Sequence, residues 1–220
     1  MSNSISSNQK GIEKMKIVGL TGGIGSGKST FAKWFLEKNI PVYDSDKEAK
    51  DLINQNEEIK SKLKQSFGEK TYENGEYNRK HVAELVFKNP EKLKKLNKIV
   101  HPAVFEHFQN WLKNQTVDFV VKEAAILFES GSFKDCDSII SIISSVPIRV
   151  ERIKKRDNSS EKQIKERMEN QWTDEQRIQH SDFVVENNSD LEHLKSEFEK
   201  VWKELQKRYS SYEDSEKKKS

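Results

Sequence analysis

Ile17-Val18-Gly19-Leu20-Thr21-Gly22-Gly23-Ile24-Gly25-Ser26-Gly27-Lys28-Ser29-Thr30 is the stretch whose reading decides the fold. A short apolar run enters a glycine loop, and beyond it Phe31, Trp34 and Phe35 recur at helical spacing. Strand, loop and helix therefore stand in the order that a phosphate-binding loop needs. Gly22, Gly27, Lys28 and Ser29 occupy the fixed positions of G-x-x-x-x-G-K-[ST], the P-loop pattern. Glycine backbone reaches positive φ and lets a phosphate approach the N–H groups that form an anion nest at a helix N-terminus. Lys28 is expected to set a compact charge against the β- and γ-phosphates, with the Ser29 hydroxyl as a hard oxygen ligand for Mg²⁺. The alternative is a glycine-rich turn with a chance lysine, and the helical pattern after the loop argues against it. A dinucleotide fingerprint is disfavoured, because Lys28 stands where a third glycine is expected. The stretch predicts nucleoside triphosphate binding.

The 220-residue chain suits one α/β domain with insertions. Its 39 basic and 36 acidic side chains leave a net charge of only +3, so no global nucleic-acid signal is present. Cys136 is the one cysteine and has no intramolecular partner for a disulfide. It reads as a small half-buried side chain at the start of a strand. No apolar stretch approaches the ~20 residues of a membrane span, and residues 1–14 lack a signal-peptide core. The expectation is a soluble cytoplasmic protein, monomeric, with no nucleic-acid or membrane partner, whose polar tails 1–14 and 209–220 are disordered.

After the glycine loop, Ile40-Pro41-Val42-Tyr43 reads as a second strand that delivers Asp44-Ser45-Asp46 to its C-terminal end, where ligands bind in open α/β sheets. Each of these carboxylates is a candidate base, and each is also a candidate cap for the helix that follows. Apolar positions from Ala49 to Phe67 keep a helical period until Gly68, and Asn74-Gly75 signals a turn. Further helical patterns cover Val82–Val86 and Leu93–Val100, and another is expected to start at Pro102. Residues 47–115 thus read as an inserted helical subdomain. Phe119-Val120-Val121, Ser138–Ile143 and Phe183-Val184-Val185 supply three more strands. Glu123, at the end of the first of these, either holds Mg²⁺ through water or pairs with Lys122 or a nearby arginine. From Arg149 to Arg167 there are eight Lys/Arg against four Asp/Glu, an Arg-rich stretch placed where a lid over a polyphosphate would lie. Residues 147–175 are read as that lid, and 15–46, 116–146 and 176–208 as the nucleotide-binding core.

Together these residues resemble the dephospho-coenzyme A kinase family. The likeness rests on Val18–Ser29, on Pro41–Asp46 with its Asp-x-Asp, on Arg79, on His101-Pro102, on Ile126-Leu127-Phe128-Glu129, and on Arg152, Arg156-Asp157, Gln171 and Asp182–Asn187. It covers about residues 15 to 207. Three positions depart from the family pattern: Ala125 stands for the usual proline, Tyr43 for a small aliphatic residue, and Asn188 is not followed by glycine. The resemblance implies an α/β, P-loop kinase-like three-layer fold with a five-stranded parallel sheet, a helical substrate-binding insertion and a lid. It also implies transfer of the ATP γ-phosphoryl to the ribose 3′-hydroxyl of dephospho-coenzyme A, with Mg²⁺. Asp46 is then the expected group that orients the attacking hydroxyl, with Asp44 the alternative. Lys28, Arg152 and Arg156 would stabilise the transferring group. Gly22 to Thr30 and Asn187 would contact ATP, and Arg79, His101 and Glu129 would lie on the acceptor side, His101 as a brace between two helices. Rival readings are a P-loop kinase with another small acceptor, and an NTPase that binds nucleic acid through the basic stretch.

Overall fold

The strands of this chain show little alternation of apolar and polar residues, because helices cover both faces of the sheet they form. The computed structural model describes residues 15–87, 89–157 and 160–209. In chain order its elements are β1 (Lys16–Gly22), α1 (Lys28–Glu37), β2 (Val42–Asp44), α2 (Ser45–Gln55), α3 (Glu57–Phe67), β3 (Tyr72–Glu73), β4 (Glu76–Tyr77), α4 (Arg79–Phe87) and α5 (Pro90–Leu112). They continue with β5 (Phe119–Glu123), β6 (Ser138–Ile143), α6 (Val146–Asp157), α7 (Glu161–Glu169), α8 (Asp174–Gln179), β7 (Phe183–Glu186) and α9 (Leu191–Tyr209). Five strands make one parallel sheet in the order β2-β5-β1-β6-β7, the five that the sequence predicts. β1 is buried at every position but the first and β6 at all of its positions, as the middle of such a sheet requires.

On one face Val18, Leu20, Val121, Ile140 and Ile142 meet α1 and α9. Phe31, Trp34 and Phe35 from α1 surround Phe198 from α9, with ring centroids 5.1, 5.5 and 5.0 Å away. On the other face Ile17, Tyr43 and Val120 pack against Phe108, Trp111 and Leu112 of α5. Tyr43, the aromatic departure from the family pattern, fills this space: its ring lies 4.8 Å from Phe108, and its hydroxyl is 3.0 Å from His107 Nδ1. Among the described residues no helix is long and apolar enough to cross a membrane.

Three details differ from the sequence reading. Leu93–Val100 and the pattern after Pro102 are one 23-residue helix, α5, with Pro102 inside it. Proline forfeits one intrahelical hydrogen bond, but Val100 before it and Phe108 after it are buried, so the helix continues and His101 lies within one helix, not between two. The Ala49–Phe67 pattern is two helices, broken at Asn56, whose extended backbone lets its side chain accept from Ile59 N–H at 3.1 Å and cap α3. Tyr209 belongs to α9, and its hydroxyl pairs with Ser138. The remaining tail residues, 1–14 and 210–220, lie outside the described part.

Phe198 is fully buried at the centre of the α1/α9 cluster, whereas Leu36 is 55% exposed on the same layer. Phe198→Ala is expected to lower unfolding free energy by roughly 3–5 kcal/mol, and Leu36→Ala by less than about 0.5 kcal/mol. Urea titration followed by tryptophan fluorescence measures both.

Candidate active site

The glycine loop joins β1 to α1 with positive φ at Gly22, Gly25 and Gly27, of 152°, 81° and 104°. A β-carbon on Gly22 would overlap the Ile142 carbonyl, one on Gly23 the Arg149 guanidinium, and one on Gly27 the Asn187 amide. The loop is therefore moulded against β6, α6 and the end of β7. Asn187 Nδ2 donates to Ser26 C=O at 2.7 Å, and Asn187 in turn accepts from Arg152 at its carbonyl, 3.1 Å, and at Oδ1, 3.2 Å. Ile24 N–H donates to Gln171 Oε1 at 2.9 Å. The Lys28 and Ser29 amides lie in the first turn of α1, at a helix N-terminus, where backbone donors lack intrahelical acceptors, whereas Thr30 N–H donates to Gly27 C=O at 3.1 Å. Ser29 is exposed there.

Parallel register brings the acidic ends of the neighbouring strands level with the loop: Asp44 pairs with Glu123, and Glu123 with Leu20. Asp44 caps α2 by accepting from Lys47 N–H at 2.9 Å. Asp46, in the first turn of α2, accepts instead from Ala125 N–H at 3.1 Å. Asp44 is thus the α2 cap and Asp46 is not, a choice the sequence left open. Burial lowers the affinity of Lys28 for its proton, against the pull of Glu123 and Asp46. Burial raises the Asp46 carboxyl above its ordinary value, with Asp44 adding to the rise while Ala125 N–H, Lys28 and Arg79 oppose it. Glu123 is pushed up to about 7 by burial, opposed by Lys28 and reinforced by Asp44 and Asp46. Asp46 and Glu123 therefore share Lys28, with Arg79 also acting on Asp46, and Lys122 is not available to them: it lies 4.0 Å from Asp135 and over the Phe108 ring.

Beside Asp46 opens a cavity of ≈ 960 Å³, walled by α2, α4, α5 and the 122–135 segment. Arg79, His101 and Asp46 all line it. His101 is half-buried, and burial lowers its pKa. Glu129 is not part of that lining. Its carboxylate accepts from Trp172 N–H at 2.5 Å and lies 3.4 Å from Arg177, which is fully buried and also 3.3 Å from Asp174. Asp174 reaches Arg149 as well, at 3.5 Å. Sequence reading gave Arg177 and Asp174 no role, because neither falls in a motif; the capping box Thr173-x-x-Gln176 beside them is the local signal that fixes α8 and so their placement. Arg156, expected in the lid, is engaged by Asp157 at 2.6 and 2.9 Å, yet its charge is felt at Lys28. Cys136 is partly buried before β6 and its thiol is pushed up to about 12 by burial, an inert setting.

A divalent cation suits this donor set. Burial, reinforced by Asp44 and Asp46, holds Glu123 near neutrality, so a cation beside it would be met by acidic oxygens, and the Ser29 hydroxyl is a hard oxygen donor at the loop. Among the described residues no group of three or more His, Cys, Asp or Glu is placed to hold a metal ion, so the protein would supply part of a coordination shell.

The family model for dephospho-CoA kinase matches residues 16–193. The Fusobacterium nucleatum dephospho-CoA kinase is 41% identical over 186 residues, covering 84% of this chain and 94% of the relative. Among solved structures, TT1252 from Thermus thermophilus superposes with a TM-score of 0.78 at 31% identity, covering 87% of this chain and 98% of the other. The dephospho-CoA kinase from Campylobacter jejuni gives 0.63 at 26%, covering 87% and 97%.

Glu123 makes a prediction about stability. Between the ordinary glutamate value of 4.5 and about 7 the folded chain keeps a proton that the unfolded chain has released. Stability should therefore fall as pH rises through that window and level off above it. Unfolding titrations without Mg²⁺ should show this slope, and Glu123→Gln should flatten its upper part, leaving the same-signed contribution of Asp46. With a matching family model over most of its length and relatives of this identity and coverage, the chain belongs to the dephospho-CoA kinase family.

Proposed function

We propose that this chain transfers the γ-phosphoryl group of ATP to the ribose 3′-hydroxyl of dephospho-coenzyme A, giving coenzyme A and ADP, the last step of coenzyme A biosynthesis. Within the family to which the chain belongs, the observation that carries this reading is the position of Asp46. Its carboxylate feels the charge of Lys28 on the phosphate side and lines the ≈ 960 Å³ cavity on the other. A hydroxyl held in that cavity would meet both a proton acceptor and the end of a triphosphate.

Each role follows from placement. The amides and glycines from Gly22 to Thr30 receive the phosphates, and Lys28 balances charge on the group in transit. Asp46 accepts the proton that the attacking hydroxyl loses as its oxygen bonds to phosphorus and the β–γ bridging bond breaks. Its main contribution is orientation, because a loose transition state asks for alignment more than for a strong base. Asp44, already spent on the α2 cap, is less suited. Arg79 and His101 face the acceptor from the cavity wall, in the 47–115 subdomain. Arg152 and Arg156 serve the transferring group when the 147–175 lid closes, Arg156 by exchanging Asp157 for phosphoryl oxygen. Asn187 shapes the loop on the nucleotide side. Glu129 supports the site through Arg177 and Trp172 rather than by touching the acceptor. Ser29, with Glu123 through water, would hold Mg²⁺, whose charge offsets that of the β- and γ-phosphates.

The test is an assay of ADP release with ATP and Mg²⁺, with and without dephospho-coenzyme A, in which the product is weighed. ADP formation that requires the acceptor, with a product one phosphate heavier, is the expected result. Equal ADP formation without acceptor would replace the reading with a plain NTPase. Lys28→Ala and Asp46→Asn should each lower turnover by about 10²-fold or more, the second with ATP affinity nearly unchanged. An Asp46→Asn enzyme of near-normal turnover beside a crippled Asp44→Asn enzyme would reverse the roles of the two acids.

A further inference from the structure

One side chain connects the two halves of this site. Gln171, at the end of α7, receives Ile24 N–H of the glycine loop on Oε1 at 2.9 Å and donates from Nε2 to Ala125 C=O at 3.0 Å. Ala125 in turn donates its N–H to Asp46 Oδ2 at 3.1 Å. The path from phosphate loop to acceptor-side carboxylate therefore runs through one glutamine amide and one alanine. Both polar ends of the Gln171 side chain are used, one toward each substrate.

The glutamine is itself held firmly. Its backbone N–H bonds Met168 C=O at 3.0 Å. The next residue, Trp172, is pinned by Glu129 at 2.5 Å and stacks on Phe128 with ring centroids 4.8 Å apart and planes 5° from parallel. Ala125, by contrast, has left the β5 ladder, which ends as Ala124 N–H donates to Leu20 C=O at 3.0 Å. Beyond that bond Thr21 Oγ1 donates to Ala124 C=O at 2.8 Å, which holds the peptide plane that carries the Ala125 N–H, while the next peptide plane is held at the Ala125 carbonyl. Gln171 grips the carbonyl.

We propose that Gln171 is a positioning residue for phosphoryl transfer: with Thr21 holding the peptide plane of the Ala125 N–H, Gln171 ties residue 125 to the glycine loop and so keeps the Asp46 carboxylate at a fixed spacing from it. The proposal rests on the reading that Asp46 orients the attacking hydroxyl. The alanine at 125 keeps an N–H that a proline there would lack, so Asp46 is held by a bond that residue 125 itself supplies. The tie gives the glutamine a task that an apolar filler of equal volume would not perform, since leucine would close the same space and leave Ile24 N–H and Ala125 C=O unmatched. A misdirected group at a reacting centre costs rate without costing binding.

The experiment is steady-state and single-turnover kinetics on the full chain with Gln171→Leu and Ala125→Pro, each made alone and in an Asp46→Asn background. Proline at 125 deletes the N–H that Asp46 uses and leaves the carbonyl for Gln171. Unfolding midpoints of all variants establish that each is folded under the assay conditions. Gln171→Leu is expected to lower kcat about 20-fold and Ala125→Pro about fivefold, with KM for ATP and for acceptor each within about twofold of the parent. In the Asp46→Asn background neither should lower the residual rate by more than about twofold, because the group they position is already gone. Full additivity with Asp46→Asn, a loss confined to KM, or a parental kcat in folded Gln171→Leu and Ala125→Pro would overturn the proposal and leave the reading of Asp46 intact. Near-normal turnover in Asp46→Asn alone would overturn both.

Discussion

At Gly22, Gly23 and Gly27 the main chain runs against Ile142, Arg149 and Asn187 with no space for a β-carbon, and the rest of the site is arranged around that approach. A loop of this shape is not stable by itself, because its positive-φ glycines cost backbone entropy. It holds because residues more than a hundred positions away press on it. Ile142 supplies a carbonyl ceiling, Arg149 a guanidinium laid across Gly23, and Asn187 a hydrogen bond to Ser26. The phosphate loop is thus a tertiary object, although its signature is local.

Two charged clusters flank it, with opposite energetic characters. The buried Arg177, with Glu129, Asp174 and Arg149 around it, is compensated: acid and base alternate and Trp172 adds backbone donors and acceptors. The group of Asp46, Glu123 and Lys28, with Asp44 beside it, is not, because burial disfavours the charge on Glu123, Asp46 and Lys28 alike. An uncompensated cluster lowers the stability of the free protein and is relieved only when ligands bring the missing charge, a common bargain at reactive centres. The compensated cluster lies behind it, holding α8 and Trp172 in place.

The sequence carried the sheet and the loop well, and for physical reasons. Buried parallel strands read as apolar runs, and Gly22, Gly27, Lys28 and Ser29 admit few other uses. Helix breaks were harder. Pro102 looked like a start because proline suits a first turn, but the burial of Val100 and Phe108 on either side outweighed one lost hydrogen bond. Asn56 was not seen as a cap because the apolar period runs through it. Lys28 stood out by motif spacing and Asp46 by resemblance, whereas which of Asp44 and Asp46 caps α2 needed coordinates: both can cap, and only the fold shows that Asp44 does. Glu129 was read as an acceptor contact from its place after Leu127-Phe128, and its partner Arg177 lies 48 residues away, beyond any local pattern. Arg177 itself had no signal at all, since a lone arginine on a short polar helix is ordinarily a solvated one.

Helix α5 takes part in two apolar clusters. Leu96, Ile99 and Ala103 pack with Ile59, Leu63 and Phe67 of the inserted layer, while Val104, Phe108 and Trp111 pack under Tyr43 and Val120 of the sheet. At ~1.5 Å per residue the 23-residue helix is a rod that belongs to both. The inserted layer is consequently not a portable module. A chimera that exchanged it with a relative's would have to carry Tyr43 and its partners across the junction. A crossover near Pro102, inviting from the sequence, would splice two halves of one beam and loosen the acceptor wall and the sheet together.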